Sequence, residues 1–276
     1  MTPPQNTDGR NPRSTIAAVV PLRAHRSHNA PATNAARREP RIHCIDCALR
    51  ERCLPGGLTG DDVWHFDELF DDQRHLGKGD ALFHAGSPFD CLFVIRVGSV
   101  KTNILAEDGR EQVAGYQMPG DIVGLDGIAT GTHTCSAYAL EGCELCAVPF
   151  ERFEHLGQSV PQLRQTLRHL LASEVNRNHC HMLLLGSMRA EERVISFLLD
   201  LAERYRRRGY SPSEFMLRMT REEIGSYLGL KLETVSRVFS RLQAEGLIEA
   251  HGRDIRMLDA TRLHDLLGKD SLHPDH

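Results

Sequence analysis

The chain has 276 residues, of which 41% are apolar and 25% are charged, and its formal net charge is −4. This length suits one large domain or two small ones, and the apolar fraction is enough for a sizeable core. The net charge gives no indication of nucleic-acid binding, so any basic surface must be local. No run of about 18 apolar residues occurs, and a membrane-spanning helix is therefore not expected.

The N-terminal region, residues 1–40, is rich in Pro, Asn, Arg and Ala and has no hydrophobic period, which predicts a disordered tail. Its segment STIAAVVPL (14–22) is flanked by prolines and arginines and lacks a convincing cleavage site, so it is not predicted to be a signal peptide. Without export, we expect a cytoplasmic protein whose eight cysteines are thiols or metal ligands rather than disulfides.

The segment RIHCIDCALRERCLPGGL (41–58) is polar and loop-like, yet it contains Cys44, Cys47 and Cys53. The spacing Cys-x2-Cys-x5-Cys brings three thiolates to one loop, and an iron–sulfur cube needs four ligands. A structural zinc is the alternative, although zinc usually favours paired Cys-x2-4-Cys knuckles. The segment therefore predicts a metal site that takes its fourth ligand from elsewhere.

A short helix and a β-rich region are predicted next. The helix covers TGDDVWHFDELFDD (59–72), with Thr59 or Asp61 as its cap. Its apolar face consists of Val63, Phe66, Leu69 and Phe70. From about 74 to 150, short alternating runs are separated by Gly, Pro and Asp, which is typical of antiparallel strands in a small barrel or sandwich.

The fourth ligand is left open by the residues alone. Cys91 lies inside an apolar strand and is expected in the core, and Cys180 on a later helix is expected to be structural or exposed. Cys135, Cys143 and Cys146 remain. If GCELCAV is a strand, Cys143 and Cys146 point to opposite faces, so only one of them can serve the site.

One long helix is predicted over residues 160–188, followed by further helices joined by short Gly-containing turns. A helix of this length with an apolar stripe is often a dimer seam. Polar Glu174, Asn178 and His181 on or beside that stripe would set the register of the dimer at a cost in stability. The stripe consists of Leu167, Leu171, Val175, Asn178, Met182 and Leu185.

The segment MTREEIGSYLGLKLETVSRVFSRLQAEGLI (219–248) has the pattern of a helix-turn-helix. Thr220 can cap the first helix with Glu223 as its capping-box partner, and Gly229 provides the turn. The second helix opens at Lys231 and turns Val235, Val238, Phe239 and Leu242 inward. An ordinary helical hairpin with a solvated polar face is the alternative.

The polar face of the second helix suits base recognition, because Arg can pair with guanine and Glu can accept from the cytosine amino group. Acidic and basic residues nearly balance around it, so affinity is expected to depend on dimerisation and specific contacts. A two-stranded wing is predicted after it. The DNA-binding candidates are Thr220, Lys231, Glu233, Thr234, Ser236 and Arg237.

From about residue 60 to 262, the chain resembles the Crp/Fnr superfamily of bacterial transcription regulators. The resemblance lies in the runs GDALFHAGSPFDCLFVIRVGSVKT, PGDIVGLDGI, AEERVISFLLDL and MTREEIGSYLGLKLETVSR. The resemblance is close to the oxygen-sensing FNR branch, which includes the Anr-type proteins. In that branch three N-terminal cysteines and one cysteine shortly before a PFE run hold a [4Fe-4S] cluster. The run ELCAVPFE then implies the ligand set Cys44, Cys47, Cys53 and Cys146.

The resemblance implies an α+β protein with a cyclic-nucleotide-binding-like β-roll, a long dimerisation helix and a C-terminal winged helix-turn-helix. It also implies an oxygen-responsive regulator, mainly an activator, of anaerobic metabolism genes. Its partners would be a second copy of the chain, palindromic DNA with TTGAT-type half-sites, and RNA polymerase. The expected segments are a tail (1–40), a cluster-binding loop (41–58), a β-roll (59–158), a dimerisation helix (159–188), a DNA-binding domain (189–264) and a second tail (265–276).

Neighbouring functions are less favoured. The segment GDIVGLDGIATGTHTCSAYA (120–139) has no arginine for a cyclic nucleotide's phosphate, so no cyclic nucleotide is expected. Haem ligation is conceivable with fifteen histidines, but none is singled out. No phosphate-binding glycine loop, GxSxG elbow or HExxH pair occurs, and an enzyme is not predicted. A zinc- or haem-containing regulator of the same superfamily is the alternative.

Overall fold

The computed structural model describes residues 42–70, 73–106 and 108–268, which form an α+β fold. The predicted tail over 1–40 lies outside these residues. Of the second predicted tail, 265–276, only residues up to 268 are described. Its first two residues belong to the last helix, which ends at Leu266. No helix in the described ranges is long and apolar enough to cross a membrane.

Eight strands form two four-stranded sheets, in the orders β1-β8-β3-β6 and β2-β7-β4-β5, and every strand pair in them is antiparallel. This confirms the predicted β-roll. The strands are β1 (Gln73–Leu76), β2 (Ala81–Phe83), β3 (Cys91–Val97), β4 (Val100–Leu105), β5 (Glu111–Gln117), β6 (Ile122–Val123), β7 (Ser136–Ala139) and β8 (Cys143–Pro149).

The first sheet is buried on both faces, which explains the nearly continuous apolar run of β3. On one face, Phe93 and Ile95 pack into the interior of the β-roll. On the other face, Leu92 and Val94 pack into a second apolar cluster with side chains from the cysteine segment and the first helices. This other face of the first sheet is therefore covered by the part of the chain that carries Cys44, Cys47 and Cys53.

Seven α-helices follow the order of the chain: α1 (Asp61–Asp67), α2 (Phe150–Ser159), α3 (Pro161–Ser187), α4 (Ala190–Arg207), α5 (Arg221–Leu228), α6 (Leu232–Ala244) and α7 (Ala260–Leu266), counted within the described ranges. The long predicted helix is α3, with Pro161 in its first turn, where the missing N–H has no cost.

Helix α1 is shorter than the predicted 59–72, and the predicted caps are wrong. Gly60, with φ of +59°, occupies the N-cap position, and no side chain caps the helix. The predicted apolar face is nevertheless correct, because Val63, Phe66, Leu69 and Phe70 are all buried in the second apolar cluster.

The predicted two-stranded wing is confirmed as an antiparallel hairpin after the helix-turn-helix, and a third, unpredicted strand extends it in the order β10-β11-β9. The strands are β9 (Glu214–Met216), β10 (Ile248–His251) and β11 (Asp254–Met257). Strand β9 precedes the helix-turn-helix and pairs with β11, with Phe215 buried between two exposed neighbours. Its three residues are too few for periodicity to distinguish a strand from a loop.

The DNA-binding segment packs against the β-roll through a shared apolar cluster that includes Tyr116 and Met118 of the roll. Several polar contacts accompany it, among them three ion pairs. The Asp121 carboxylate binds Arg204 at 2.7 Å and Arg208 at 2.6 Å, and Lys101 binds Glu223 at 2.6 Å. These contacts therefore fix the position of the helix-turn-helix relative to the β-roll.

Candidate metal centre and nucleic-acid interface

The cysteine segment is an exposed loop whose C-terminal end is anchored by buried side chains. Two short 3₁₀ turns, Cys44–Asp46 and Arg50–Arg52, are linked by backbone hydrogen bonds. Directly after them, Leu54 and Leu58 are almost fully buried in the second apolar cluster. The loop is thus held against the sheet without a core of its own, as the polarity of its sequence requires.

Helix α1 holds the N-terminal end of the loop through Asp67, a residue that was not predicted from the sequence. Its carboxylate is only 5% exposed. It accepts hydrogen bonds from the backbone N–H of Cys44 at 2.8 Å and from Nδ1 of His43 at 2.6 Å. Its place on the buried side of α1, beside Phe66, was a signal available in the sequence, since a buried acid needs partners.

Strand β8 separates Cys143 from Cys146. Cys143 is 2% exposed inside the β-roll, where its thiol lies 3.3 Å from the carbonyl of Ser99. Cys146 faces the other way, into the second apolar cluster, directly opposite Val94 of β3. Only Cys146 faces the cysteine loop.

The four predicted ligands Cys44, Cys47, Cys53 and Cys146 line one small cavity of about 30 Å³, here called the four-cysteine cavity. Arg50 and Arg96 line it as well. Its other walls are apolar, from Ile42, Leu49, Pro55, Phe70 and Val94.

The electrostatics of the cavity bear on the protonation of its thiols. Burial raises the pKa of Cys44 and Cys53, and the charges of Asp67 and of neighbouring cysteines raise the pKa of Cys44 further. Without a bound group the Cys44 and Cys53 thiols are therefore protonated at neutral pH, and binding of a metal group would release their protons.

The donor set suits a thiolate-bound cluster better than a single ion. Within the described ranges, no group of three or more His, Cys, Asp or Glu side chains is arranged tightly enough to hold one metal ion. A tetrahedral zinc needs four sulfurs about 2.3 Å from one point. A cube distributes its four ligands over four irons, and the positive charges of Arg50 and Arg96, which line the same cavity, would offset its negative charge.

The other four cysteines lie away from this cavity. Cys91 and Cys180 are half-buried, and Cys143 is inside the β-roll. The Cys135 thiol lies 3.4 Å from the Asp126 carboxylate, and burial together with that charge raises its pKa to about 12.

In the segment 120–139 of the β-roll, His133 and Asp126 are engaged by other groups of this chain. His133 is 4% exposed and stacks on Phe83 with a centroid distance of 3.6 Å. Asp126 accepts hydrogen bonds from the backbone N–H groups of Thr134 at 2.7 Å and Cys135 at 3.2 Å.

The helix-turn-helix begins with the predicted capping box. Thr220 Oγ1 accepts from the backbone N–H of Glu223, and the Glu223 carboxylate accepts from the N–H of Thr220. Gly229 has φ of +63°, and the turn requires glycine there. A Cβ at Gly225 would lie 2.6 Å from the carbonyl oxygen of Leu230, so glycine is required there too.

Helix α6 presents the predicted polar face to solvent. Lys231, Glu233, Ser236 and Arg237 are exposed, while Thr234 is half-buried and accepts a 3.4 Å hydrogen bond from Arg237. Thr220, also half-buried, lies at the start of α5. The inward side chains Val235, Val238, Phe239 and Leu242 are all buried as predicted.

The apolar stripe of α3 divides into three parts. Leu167 and Leu171 pack on the cluster beneath the cysteine loop, and Leu185 packs on the DNA-binding segment. The central part remains on the surface. Val175 is 51% exposed and Met182 is 64% exposed, with Asn178 exposed between them.

Two domain families match the chain. A cyclic nucleotide-binding domain matches residues 73–159, and a Crp-like helix-turn-helix domain matches residues 192–266.

Relatives are similar over most of their length. The chain is 44% identical over 229 residues to the transcriptional activator protein anr of Pseudomonas aeruginosa. The aligned residues make up 83% of this chain and 94% of that protein. It is 38% identical over 227 residues to the fumarate and nitrate reduction regulatory protein of Salmonella typhimurium, covering 82% and 91%. Among solved structures, FixK2 from Bradyrhizobium japonicum superimposes with a TM-score of 0.66 at 32% identity, over 71% of this chain and 96% of that chain.

Proposed function

This chain belongs to the Crp/Fnr family of transcription regulators, and we propose that it is an oxygen-responsive member, mainly an activator, of genes for anaerobic metabolism. Its switch is a [4Fe-4S] cluster held by Cys44, Cys47, Cys53 and Cys146. The observation that carries this proposal is the four-cysteine cavity, in which three loop thiols and one strand thiol meet. The names of relatives support it, because they include an anaerobic regulatory protein of Pasteurella multocida.

The four thiolates would hold the cluster, and the bound cluster would supply a group that reacts with oxygen. The exposed loop admits oxygen from solvent. Leu54 and Leu58, which anchor the loop, share an apolar cluster with Leu163 and Leu167 of α3. A change in loop position therefore alters the packing at the start of the dimerisation helix.

Dimerisation is the step that this packing controls. The exposed centre of α3, with Val175 and Met182 beside Asn178, gives a seam of mixed polarity and hence a marginal dimer. Moving an equilibrium from mostly monomer to mostly dimer takes about 5 kcal/mol. Loss of the dimer separates two recognition helices that must be held one helical turn apart on DNA.

The proposed DNA target is a palindrome of TTGAT-type half-sites. Arg237 pairs with guanine, Glu233 accepts from the opposite cytosine amino group, and Ser236 contacts a neighbouring base edge. Lys231, Thr220 and Thr234 lie around them as further contacts. The dimer then binds RNA polymerase in the cytoplasm.

Cyclic nucleotides are not the proposed effector. His133 fills space next to Phe83, and Asp126 is engaged by backbone N–H groups of its own chain. Both side chains lie in the segment that the family uses for the nucleotide.

Serine replacement at each cysteine, followed by anaerobic iron and sulfide analysis, tests the ligand set. We expect Cys44→Ser, Cys47→Ser, Cys53→Ser and Cys146→Ser to lose the cluster. The matched control is Cys143→Ser, which alters the same strand on its opposite face and should retain full content. Full content in Cys146→Ser overturns the assignment, and a wild-type protein that contains zinc or haem instead of iron and sulfide overturns the cofactor.

A further inference from the structure

We propose that Arg96 is a charge-compensating ligand partner of the four-cysteine cavity, offering its guanidinium Nε–H and its positive charge to the thiolate-bound group. The inference rests on the proposed function, because it needs a bound anionic group in that cavity. Arg96 lines the cavity but is not one of the four proposed metal ligands.

The position of Arg96 follows from an irregularity in the sheet. In the pairing of β3 with β8, Ile95 lies opposite Leu145 and Val97 lies opposite Glu144, so Arg96 is the extra residue of a β-bulge. Bulges redirect a side chain and are common beside functional sites. Here the irregularity falls two residues after Val94, which lies directly opposite Cys146 and lines the same cavity.

The burial of Arg96 leaves one donor without a partner. Its side chain is 17% exposed, and its Nε atom is buried with no hydrogen-bond partner in the described part of the protein. Buried donors are nearly always paired in folded proteins. Arg96 is one of the residues that line the cavity, whose other polar side chains are the four cysteines and Arg50, and a cysteine sulfur can accept a hydrogen bond.

Glu144 fixes the other end of the guanidinium. It pairs with Nη2 of Arg96 and lies on β8, two residues before Cys146. This contact orients the planar group and leaves Nε unused. The pair thus has the arrangement of an outer-shell partner, in which a fixed donor orients and stabilises a metal-bound ligand.

The other arginine of the cavity is less suited to this role. Arg50 belongs to the exposed loop, its side chain is 31% exposed, and its Nε already donates to Glu51 at 2.9 Å. Arg96 belongs to a central strand of the sheet, so its charge stays in place when the loop moves.

The test uses the full chain loaded with its cluster under anaerobic conditions. Arg96→Gln removes the charge and the fork, and Arg96→Lys keeps the charge but lacks Nε. The matched control is Arg74→Gln on strand β1 of the same sheet, where the arginine is exposed, lies opposite Leu145 and has its guanidinium over Phe93 on the other face of the sheet. The measurements are the rate of iron loss to a ferrous chelator, the reduction potential of the cluster, and the thermal unfolding temperature of the cluster-free protein.

We expect Arg96→Gln to lose iron about 10-fold faster than wild type, as replacement of outer-shell partners typically does. Its reduction potential should shift to a more negative value, because a positive charge and a hydrogen bond to sulfur favour the reduced form. Arg96→Lys should keep a potential near wild type and lose iron at an intermediate rate. Arg74→Gln should match wild type in both.

The outcomes separate this inference from the proposed function. A wild-type protein without iron and sulfide overturns both. A wild-type protein with a cluster whose rate and potential are unchanged in Arg96→Gln overturns the role of Arg96 alone. An equal fall of the unfolding temperature in both Arg96 variants, with no shift in potential, assigns Arg96 to the fold and also overturns the role.

Discussion

The Asp67 carboxylate accepts a 2.8 Å hydrogen bond from the backbone N–H of Cys44, so a buried acid on α1 holds the first cysteine of the loop. The same carboxylate accepts from the ring of His43. Since Leu54 and Leu58 fix the other end, the loop is held at both ends before any metal group binds.

Asp67→Ala should therefore destabilise the protein and impair cluster binding. It leaves the Cys44 N–H without its acceptor, which costs about 1–3 kcal/mol in the free energy of unfolding. Urea unfolding of the cluster-free protein and iron content after anaerobic loading are the measurements. Asp61→Ala, an exposed acid in the first turn of the same helix, is the control. Equal iron content and equal stability in the two variants would contradict the anchoring role.

Cys143 and Cys146 illustrate how far the sequence determines the site. The period of two in a β-strand separates them without any structure, but it does not say which face meets the cysteine loop. That choice depends on how the first sheet is covered, with the β-roll interior on one face and the loop with α1 to α3 on the other. The resemblance to a family supplied the choice in advance.

Asp67 and Arg96 were not predicted, and the reason is the same for both. Their partners, Cys44 and Glu144, are 23 and 48 residues away in the chain, and no spacing pattern in the sequence identifies those partners. The capping box of Thr220 and Glu223 was predictable because both of its hydrogen bonds form within one turn. Local chemistry is visible in the sequence, whereas contacts made by tertiary packing are not.

Asp121→Asn should weaken the contact between the β-roll and the DNA-binding segment in a pH-dependent way. Burial alone would raise the pKa of Asp121, but Arg204 and Arg208 outweigh it and hold the pKa below its usual range. Removing the carboxylate charge leaves two half-buried guanidinium groups without their counterion, which should cost about 3 kcal/mol in the free energy of unfolding at neutral pH.

The sign of the pH effect follows from the lowered pKa. The ionised carboxylate stabilises the folded state fully above its unfolded pKa of about 3.9, and this stabilisation is lost as pH falls through the lower folded pKa. Urea unfolding at neutral pH and again at pH about 3 should show the difference between wild type and Asp121→Asn shrinking in acid. A difference that stays constant or grows would show that the ion pairs are not its source.

Met182→Glu should prevent dimerisation without unfolding the chain. Met182 is 64% exposed in the single chain, so the new charge remains in water in the monomer but enters the seam of the proposed dimer. Sedimentation of the cluster-loaded protein should change from dimer to monomer, while the thermal unfolding temperature of the cluster-free protein stays near wild type. Ser173→Glu places the same charge nine residues away, on the opposite side of α3, and should remain dimeric. A dimeric Met182→Glu would exclude this stripe as the seam.

The exposed side chains at the start of α6 differ in what they can contact on DNA. Arg237 has a planar fork that matches the two acceptors of guanine in the major groove. Lys231, at the N-cap position of the helix, has a single point charge that suits a phosphate. The two residues therefore provide a matched pair of cations with different expected roles.

Arg237→Ala should cost about 1–3 kcal/mol of binding free energy on the TTGAT-type half-site and relax the preference at the guanine position alone. The physical reason is that the bidentate pair is lost at one base, while contacts at the other positions are retained. Lys231→Ala should instead weaken binding to every sequence by a similar factor and reduce the salt dependence of binding by about one unit of slope. Binding of both variants is measured without oxygen, at fixed salt, to half-sites varied one base at a time. If Arg237→Ala loses affinity equally for every sequence, Arg237 is a phosphate contact, and base recognition must be assigned to other residues of α6.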